Sequence, residues 1–353
     1  MLESRAIAPL LDFGRARAER GSDDRMNRVI LHIGNEKAGS SSIQRTLATN
    51  SATLLDQEGM FYSRPLGNAL WRVVIPAESR DSHSRQIDSI LAEASRAGAH
   101  TVLCSAELLQ SRLTTVEHIA ALRSQLEARG FREFQIVVYL RRQSATANSM
   151  ASTAVQWDKE QLQEPLSEYL DHICDHRKTL TNWTQVFGHQ AMTPRLLEPT
   201  EFQGGSLQAD MLTAINVKRP KRFEISTIRN QQISHTGIEI MRHVNEVLST
   251  STHTKQLSWK HRRQVRQRIY HSLIERHFTE PKYSQPGYLW RYYDRYYEEG
   301  NEWVRRNYFP HRKTLFTYQP PPPQTHPMID EAVARSVARA LVGATLAPPI
   351  EFE

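Results

Sequence analysis

Residues 28–33 constrain the fold of this chain more than any other part of its sequence. The run RVILHI is apolar and rich in β-branched residues, as is typical of a short buried strand. A loop with two glycines follows it, and from Ser40 onward apolar residues recur at helical intervals. The sequence therefore predicts a strand, a tight loop and a helix in immediate succession.

The same alternation continues through the first half of the chain. Further short strands are predicted at residues 59–62, 101–104, 134–140 and near 191–197. Helical spacing lies between them, at residues 84–97, at 116–129 and from Gln143 onward. Strands that alternate with helices form a mostly parallel sheet that is covered on both faces. We therefore predict an α/β fold of three layers, with a central, mostly parallel sheet flanked by helices.

The second half of the chain is predicted to be mainly helical. Helical spacing recurs at residues 166–187, 207–215, 236–248 and 260–276. The prolines at 320–323 predict an extended segment, and an Ala- and Val-rich stretch at 328–346 predicts one more helix. We divide the chain into an N-terminal arm at 1–25, a single domain at 26–317, and a C-terminal segment at 318–353 that holds the prolines and the last helix.

Composition narrows the classes of function. The formal net charge of +7 favours anionic ligands such as nucleotides, phosphates or acidic glycans. The basic run at 260–268 has no RNA-reading or helix-turn-helix pattern beside it, so nucleic acid is not an expected partner. The two cysteines are isolated, which favours a reducing compartment, and no apolar stretch approaches the roughly 20 residues of a membrane span. We expect a cytoplasmic protein and leave peripheral contact with a membrane open.

The loop after the first strand has the geometry that grips a phosphate, because free backbone N–H groups and the positive end of the helix dipole point to one place. Gly34 and Gly39 have the spacing of a Walker A loop. However, Ser40 stands where a nucleotide hydrolase carries its lysine, and Lys37 lies before the second glycine instead. This shift weighs against a P-loop kinase or nucleotide hydrolase, which is the main alternative.

The run LHIGNEKAGSSSIQ resembles the 5′-phosphosulfate loop of sulfotransferases, in particular that of the bacterial carbohydrate-directed members. The resemblance implies a P-loop-like fold and a donor, 3′-phosphoadenosine 5′-phosphosulfate (PAPS), whose product is 3′,5′-diphosphoadenosine. The motif departs from the family pattern at one position, because Ala38 replaces the usual Thr or Ser. The residues that the resemblance assigns to the 5′-phosphosulfate are Lys37, Ala38, Gly39, Ser40, Ser41 and Ser42.

A second motif follows the strand at 134–140. In the same family an arginine at the strand end and a serine eight residues later share the 3′-phosphate, and Arg141 and Ser149 match these positions. The paired N–H donors of a guanidinium suit phosphate oxygens. Further matches extend the resemblance over residues 28–316 and add Arg229 as a candidate phosphate ligand. The aromatic residues within these matches are expected in the core, namely Trp183, Phe187, Tyr308, Phe309 and Phe316.

Sulfuryl transfer also needs a base, because an alcohol is a poor nucleophile while protonated. Glu107 follows the strand at 101–104 and so reaches the edge where the other two motifs converge. His32, inside the first strand, is the rival base, although a histidine there is more often a hydrogen-bonded core residue. Glu36 lies in the phosphate loop, where an anionic donor would repel it, so we expect it to point to solvent. Lys37 is expected to neutralise charge on the leaving phosphate oxygen.

These motifs predict a PAPS-dependent sulfotransferase that sulfates a hydroxyl of a carbohydrate, in a polysaccharide or a glycolipid. No metal is expected, since Lys37 supplies the positive charge and the sequence shows no cluster of metal ligands. Two alternatives stay open: a P-loop kinase or nucleotide hydrolase, and a binding protein that keeps the nucleotide site without catalysis. Acceptor loops carry no sequence code, so the identity of the acceptor is also open.

Overall fold

The computed structural model describes residues 26–75, 80–157, 167–225, 233–251, 254, 256–276, 278 and 280–346. At its centre lies a sheet of five parallel strands in the order β2-β3-β1-β4-β5. The strands are β1 (Arg28–His32), β2 (Met60–Tyr62), β3 (Thr101–Ser105), β4 (Glu133–Leu140) and β5 (Met192–Leu196). Helices cover both faces. The predicted three-layer α/β fold and each of its predicted strands are therefore confirmed.

Alternate residues of the central strands face opposite layers. Val29 and Leu31 of β1 pack in one buried cluster with helices α3 (Arg64–Val74), α4 (Arg80–Arg96), α5 (Leu108–Arg112), α6 (Val116–Glu127) and α9 (His176–Phe187). Ile30 faces the other layer, which consists of α1 (Ser40–Thr49), α2 (Ser51–Glu58) and α10 (Leu207–Ala214). A parallel strand that is buried on both faces needs apolar residues on both, which explains the nearly unbroken apolar run of β1.

A group of helices adjoins the sheet beyond the end of β4. It contains α7 (Gln143–Ala154), α8 (Glu168–Cys174), α11 (His235–Thr250), α12 (Trp259–Glu275), α13 (Gly287–Tyr296) and α15 (Glu331–Leu346). Ala151 in α7 is buried in one cluster with residues of α11, α12 and α15. A further helix, α14 (Glu298–Tyr308), packs its Val304 into the cluster that includes α9. The prediction of a mainly helical second half is confirmed.

Two details of the helices differ from the sequence prediction. The helical stretch predicted at 166–187 is two helices, because Asp175 ends α8 and its side chain caps α9 by accepting a hydrogen bond from the backbone N–H of Lys178. Leu166 itself lies outside the described residues. Helices α3, α5, α13 and α14 were not predicted. Helix α5 has only five residues, and each of the other three contains a glycine, a residue that weakens a helical pattern.

The aromatic residues that were expected in the core lie there. Trp183, Phe187 and Phe309 are buried in the cluster of α9, and Tyr308 and Phe316 pack against it. These aromatic side chains therefore pack the core and are not assigned to stacking on a nucleotide base.

The edge of the sheet at the carboxyl ends of β1 and β3 is a crevice. The chain leaves β1 toward the layer of α1 and leaves β3 toward the layer of α5. When the connections that follow two adjacent strands run to opposite faces of the sheet, they leave room for a ligand at this edge. The loop at residues 33–39 and the residues after β3 therefore meet where a substrate can enter.

Candidate active site

The loop between β1 and α1 is a tight turn held by unusual backbone angles. Ala38 N–H donates to the carbonyl of Asn35 at 3.0 Å, and Lys37 has a positive φ of 66°. Gly39 also has a positive φ, of 86°, and directly precedes α1. The first amides of a helix have no carbonyl partner within it. The loop therefore aims the amides of Ser40 and Ser41, together with Lys37, toward the same edge of the sheet.

Gly34 packs the loop directly against the end of β3. Its φ is +73°, and a Cβ added there would lie 2.5 Å from Cα of Glu107. Two hydrogen bonds continue this contact: Ala106 N–H donates to the carbonyl of His32 at 2.9 Å, and Gln110 N–H donates to the carbonyl of Ile33 at 3.1 Å. Only a glycine fits this approach, so the backbone of Glu107 has a fixed position relative to the loop.

Arg141 ties the same loop to the end of β4. Its Nη1 donates to the carbonyl of Lys37 at 2.7 Å. The carbonyl of Arg141 in turn accepts a hydrogen bond from Nε2 of the buried His176 at 2.8 Å. Burial lowers the pKa of His176 to about 4, so this imidazole is neutral at physiological pH. The guanidinium has five N–H donors, of which this contact uses one.

A pocket of about 620 Å³ opens beside the loop. The side nearest the sheet is formed by residues of the loop, of α1 and of the end of β3: Glu36, Lys37, Gln44, Ser105, Ala106 and Glu107. One wall comes from α3 and α5: Arg64, Asn68, Leu108 and Arg112. The facing wall comes from α7 and the start of α8: Met150, Thr153, Ala154, Ser167 and Tyr169. The structure thus brings the two residues predicted for catalysis, Lys37 and Glu107, into one pocket.

The ionisable groups in this pocket perturb one another. Burial lowers the pKa of Lys37 below its ordinary value, although the carboxylates of Glu107 and Glu36 act in the opposite direction. Burial raises the pKa of Glu107, and the negative charge of Glu36 raises it further, while the charge and the backbone N–H of Lys37 lower it. A carboxylate whose pKa is raised is a stronger base, and such shifts are common in catalytic sites.

Glu36 does not point to solvent, so that expectation was wrong. Its carboxylate lines the pocket and accepts a hydrogen bond from the hydroxyl of Tyr169. The hydrogen bond from this hydroxyl holds the side chain of Glu36 on the pocket side of the loop. It outweighs the conformational freedom that the side chain would have in water. The partner is 133 residues away in the sequence, so no local pattern could have indicated it.

His32 lies beneath the pocket rather than in it. Its ring is fully buried in β1, and its Nδ1 is 2.7 Å from Oγ of Ser105, which itself lines the pocket. Burial lowers the pKa of His32 to about 4. Nε2 has no hydrogen-bond partner among the described residues. His32 therefore reaches the pocket only through the hydroxyl of Ser105.

The remaining loop residues have distinct surroundings. The side chain of Ala38 is buried in the cluster that contains α1 and α10, which gives a packing role to the methyl group at this position. The hydroxyl of Ser40 is buried and has no hydrogen-bond partner among the residues described. Oγ of Ser42 accepts a hydrogen bond from Nε2 of Gln208 at 2.7 Å. Ser40 thus differs from Ser42 in having a buried hydroxyl without a hydrogen-bond partner among the described residues.

The residues predicted to bind the 3′-phosphate are only partly described. Arg141 stands at the end of β4 and Ser149 is buried in α7, which follows that strand. The carbonyl of Ser149 accepts hydrogen bonds from the hydroxyls of Ser152 and Thr153. Arg229 lies outside the described residues. The assignment of these residues to a 3′-phosphate remains a prediction.

Sequence reasoning missed several polar residues that line the pocket, among them Arg64, Asn68, Arg112 and Tyr169. Arg64 was open to prediction, because it stands two residues after β2, much as Arg141 follows β4. Arg112 and Tyr169 follow no strand and carried no comparable signal. In the part of the chain that the structure describes, no group of His, Cys, Asp and Glu is arranged to hold a metal ion, and no helix could cross a membrane.

Comparisons with known proteins give two distant likenesses. No family model matches the chain. An uncharacterized protein of Archaeoglobus fulgidus is 29% identical over 126 residues, which are 36% of this chain and 33% of that protein, so the match spans a third of the relative. The crystal structure of a sulfotransferase from Alicyclobacillus acidocaldarius aligns with 75% of this chain and 99% of its own, at a TM-score of 0.38 and 13% identity. Neither likeness assigns a family to this chain, so its function has to be inferred from the site itself.

Proposed function

We propose that this protein is a sulfotransferase that moves a sulfuryl group from PAPS to a hydroxyl of a carbohydrate. The observation that carries the proposal is the shared pocket of Lys37 and Glu107, which lies directly beside a phosphate-type loop. Sulfuryl transfer requires a cation near the leaving oxygen and a base near the attacking oxygen. Lys37 and Glu107 supply these two groups from neighbouring strand ends.

The loop and α1 suit the phosphosulfate end of the donor. The helix dipole and the amides of Ser40 and Ser41 favour an anion at this end of α1, whereas the amide of Ser42 donates to the carbonyl of Gly39 at 3.0 Å. The first turn of α1 contains Ser40, Ser41, Ser42 and Ile43, without an acidic residue that would repel a phosphate. Arg141, Ser149 and Arg229 are proposed to bind the 3′-phosphate.

The chemistry assigned to the pocket is an in-line displacement at sulfur. Glu107 takes the proton of the acceptor hydroxyl as the acceptor oxygen forms its bond to sulfur. The bond between sulfur and the 5′-phosphate oxygen breaks, and the electron pair stays on that oxygen. The ammonium of Lys37 neutralises the charge that develops there, so the positive charge comes from the protein. Positioning by the loop supplies the remaining advantage.

The test is transfer of radiolabelled sulfate from PAPS to a crude mixture of glycans, with nucleotide binding measured by calorimetry. We expect labelled carbohydrate, and tight binding of 3′,5′-diphosphoadenosine. Label transfer from ATP that depends on Mg²⁺ would instead identify a P-loop kinase. Tight nucleotide binding without transfer to any glycan would identify a binding protein. Either result would overturn the proposal.

A further inference from the structure

The pocket has a basic wall that the proposed reaction does not use. Arg64 is the first residue of α3 and Arg112 is the last residue of α5, and both line the pocket. Asn68 lies one helical turn after Arg64 and lines it as well. We refer to Arg64, Asn68 and Arg112 as the α3–α5 wall.

A close helix-to-strand contact fixes this wall in place. A Cβ at Gly67 would lie 2.7 Å from Cβ of Ala106 and 3.0 Å from the carbonyl oxygen of Ser105. The glycine therefore lets α3 rest directly on the residues that follow β3. As a result, the α3–α5 wall and Glu107 have defined positions relative to each other, on two sides of the same pocket.

The arginines of this wall differ from the structural arginines of the protein. Arg142, Arg195 and Arg312 each form an ion pair, with Asp294, Asp210 and Glu198 respectively. By contrast, Arg64 and Arg112 form no ion pair with a carboxylate of the described residues. The guanidinium of Arg112 stacks over the ring of Trp71 at 5.8 Å, which orients it while leaving its N–H donors available. Two exposed guanidinium groups thus line the pocket without a carboxylate partner in the part of the chain that the structure describes.

The carboxylates of the pocket lie toward the loop. The carboxylate of Glu36 accepts a hydrogen bond from the hydroxyl of Tyr169, and the backbone N–H of Lys37 is close enough to Glu107 to lower the pKa of that carboxyl. Each of them is also close enough to the ammonium of Lys37 to raise its pKa. The pocket therefore has a reactive side, where acidic groups surround Lys37, and a basic side on α3 and α5. A ligand that matches both sides offers a hydroxyl to the first and a negative charge to the second.

We propose that the acceptor is an acidic saccharide, and that Arg64 and Arg112 bind its carboxylate or sulfate ester while a hydroxyl of the same or the adjoining sugar faces Glu107. This inference rests on the proposed function and adds the class of acceptor. Guanidinium groups bind carboxylates and sulfates through paired, charge-assisted hydrogen bonds. The pocket volume of about 620 Å³ lies within the range of small-molecule sites.

The test compares three forms of one oligosaccharide: a hyaluronan tetrasaccharide, which carries glucuronate, its carboxyl-reduced form, and the carboxyl-reduced form with added sulfate esters. Binding is measured by calorimetry with 3′,5′-diphosphoadenosine present, so that no transfer is required. We expect at least one acidic form to bind at least tenfold more tightly than the neutral form. Which of the two acidic forms binds shows whether the wall recognises a carboxylate or a sulfate ester.

Variants assign the preference to the wall. Arg64→Gln and Arg112→Gln should each weaken binding of the acidic form, and the double variant should bind the acidic and neutral forms equally. Arg72→Gln is the matched control, because Arg72 stacks over the same Trp71 ring at 5.0 Å but is not among the residues that line the pocket. This control should keep the preference of the wild type.

Three results would overturn the inference. The first is equal binding of all three forms, or binding of none of them. The second is a preference for the acidic form that survives in the double variant. The third is loss of 3′,5′-diphosphoadenosine affinity in the double variant, which would mean that the two arginines bind the donor. Failure of the proposed function is a separate observation, because it means that the wild type neither binds that nucleotide tightly nor transfers labelled sulfate to any glycan.

Discussion

Lys37 holds its ammonium in the pocket from a left-handed backbone position, with a φ of 66°. We expect Lys37→Ala to lower kcat by about 10²–10³-fold, as is typical when one electrostatic stabiliser of a transition state is removed. The strained backbone and the hydrogen bond from Arg141 to the carbonyl remain in the variant, so its melting temperature should stay close to that of the wild type. Turnover and thermal unfolding measure the two effects.

The control for this substitution is Lys178→Ala, because Lys178 is exposed on α9 and its role in the cap uses only its backbone N–H. This variant should keep its turnover. Near-normal turnover in Lys37→Ala would remove Lys37 from the mechanism.

Glu107→Gln keeps the shape of the side chain and loses the proton acceptor. We expect kcat to fall by about 10²–10⁴-fold while nucleotide affinity stays unchanged. In the wild type, the acid limb of the kcat/KM profile should have its midpoint above the roughly 4.3 of an ordinary glutamate, because burial and Glu36 raise the pKa of Glu107. Steady-state kinetics across pH measure both quantities.

Two further variants test the assignment of Glu107 as the base. Glu36→Gln removes a negative neighbour, which lowers the pKa of Glu107, so the acid limb should move to lower pH. His32→Asn tests the rival, and normal turnover is expected because His32 contacts the pocket only through Ser105. If Glu107→Gln turns over normally and His32→Asn does not, the base is His32.

Arg141 has two roles in the structure, one of which was not foreseen from the sequence. It donates to the carbonyl of Lys37, and it is proposed to bind the 3′-phosphate. Arg141→Ala should weaken 3′,5′-diphosphoadenosine binding at least tenfold, since a hydrogen bond to a charged group contributes roughly 1.5–3 kcal/mol. Calorimetry with this nucleotide and with adenosine 5′-monophosphate should show that the variant discriminates poorly between them.

The neighbouring residue provides the control for that experiment. Arg142 bonds to Asp294 and to the carbonyl of Gln319, away from the loop. Arg142→Ala should therefore keep the nucleotide preference even if it unfolds more easily. Full discrimination in Arg141→Ala would mean that the second motif has been misread.

At the scale of elements, the contact between the β1 loop and β3 is the least tolerant part of the site. Gly34→Ala places a methyl group against the backbone of Glu107 at a positive φ, so it should cost about 1–2 kcal/mol of backbone strain. The overlap should add roughly 1–3 kcal/mol and displace the base. Gly130→Ala is the matched control, because its φ is +94° and a Cβ there meets nothing within 4 Å.

Urea unfolding and turnover distinguish the two glycine variants. Gly130→Ala should show the strain alone and keep its kcat, while Gly34→Ala should lose stability and kcat together. Equal effects of the two substitutions on both measurements would show that the close approach at Gly34 has no bearing on catalysis.

The strands were more predictable than the helices for a physical reason. The central strands β1 and β3 and the second half of β4 are short, mostly apolar runs, and burial on both faces leaves little choice of sequence there. Lys37 and Glu107 could be placed together because both follow such strands, whose carboxyl ends share an edge. Tyr169 could not, because it meets Glu36 through the packing of α8, which no local pattern encodes.

At the scale of the whole molecule, two buried imidazoles make folding sensitive to acid. The pKa values of His32 and His176 are lowered to about 4 in the folded state. Below about pH 6.5 the unfolded chain takes up protons at these side chains, whereas the folded protein does not until about pH 4. Their contribution to stability is therefore complete above about pH 6.5, and we expect a loss of up to roughly 3 kcal/mol for each as the pH falls toward 4.

Urea unfolding at pH 7, 6 and 5 measures this loss. His176→Gln removes one of the two titrating groups while keeping a donor for the carbonyl of Arg141, so its stability should fall less steeply with pH. His311→Gln, at an exposed position, should leave the slope unchanged. An identical slope in His176→Gln would contradict the assignment.

The seating of α3 on the sheet through Gly67 has a consequence for protein engineering. Because the close contact at Gly67 holds the helix, we expect that the side chains at positions 64 and 68 can be exchanged without moving it. A library randomised at these two positions and at 112 would vary the wall that is proposed to bind the acceptor, while the loop at residues 33–39 and Glu107 stay as they are. Under the proposed function, selection from such a library would change the acceptor while the groups assigned to the transfer step stay the same.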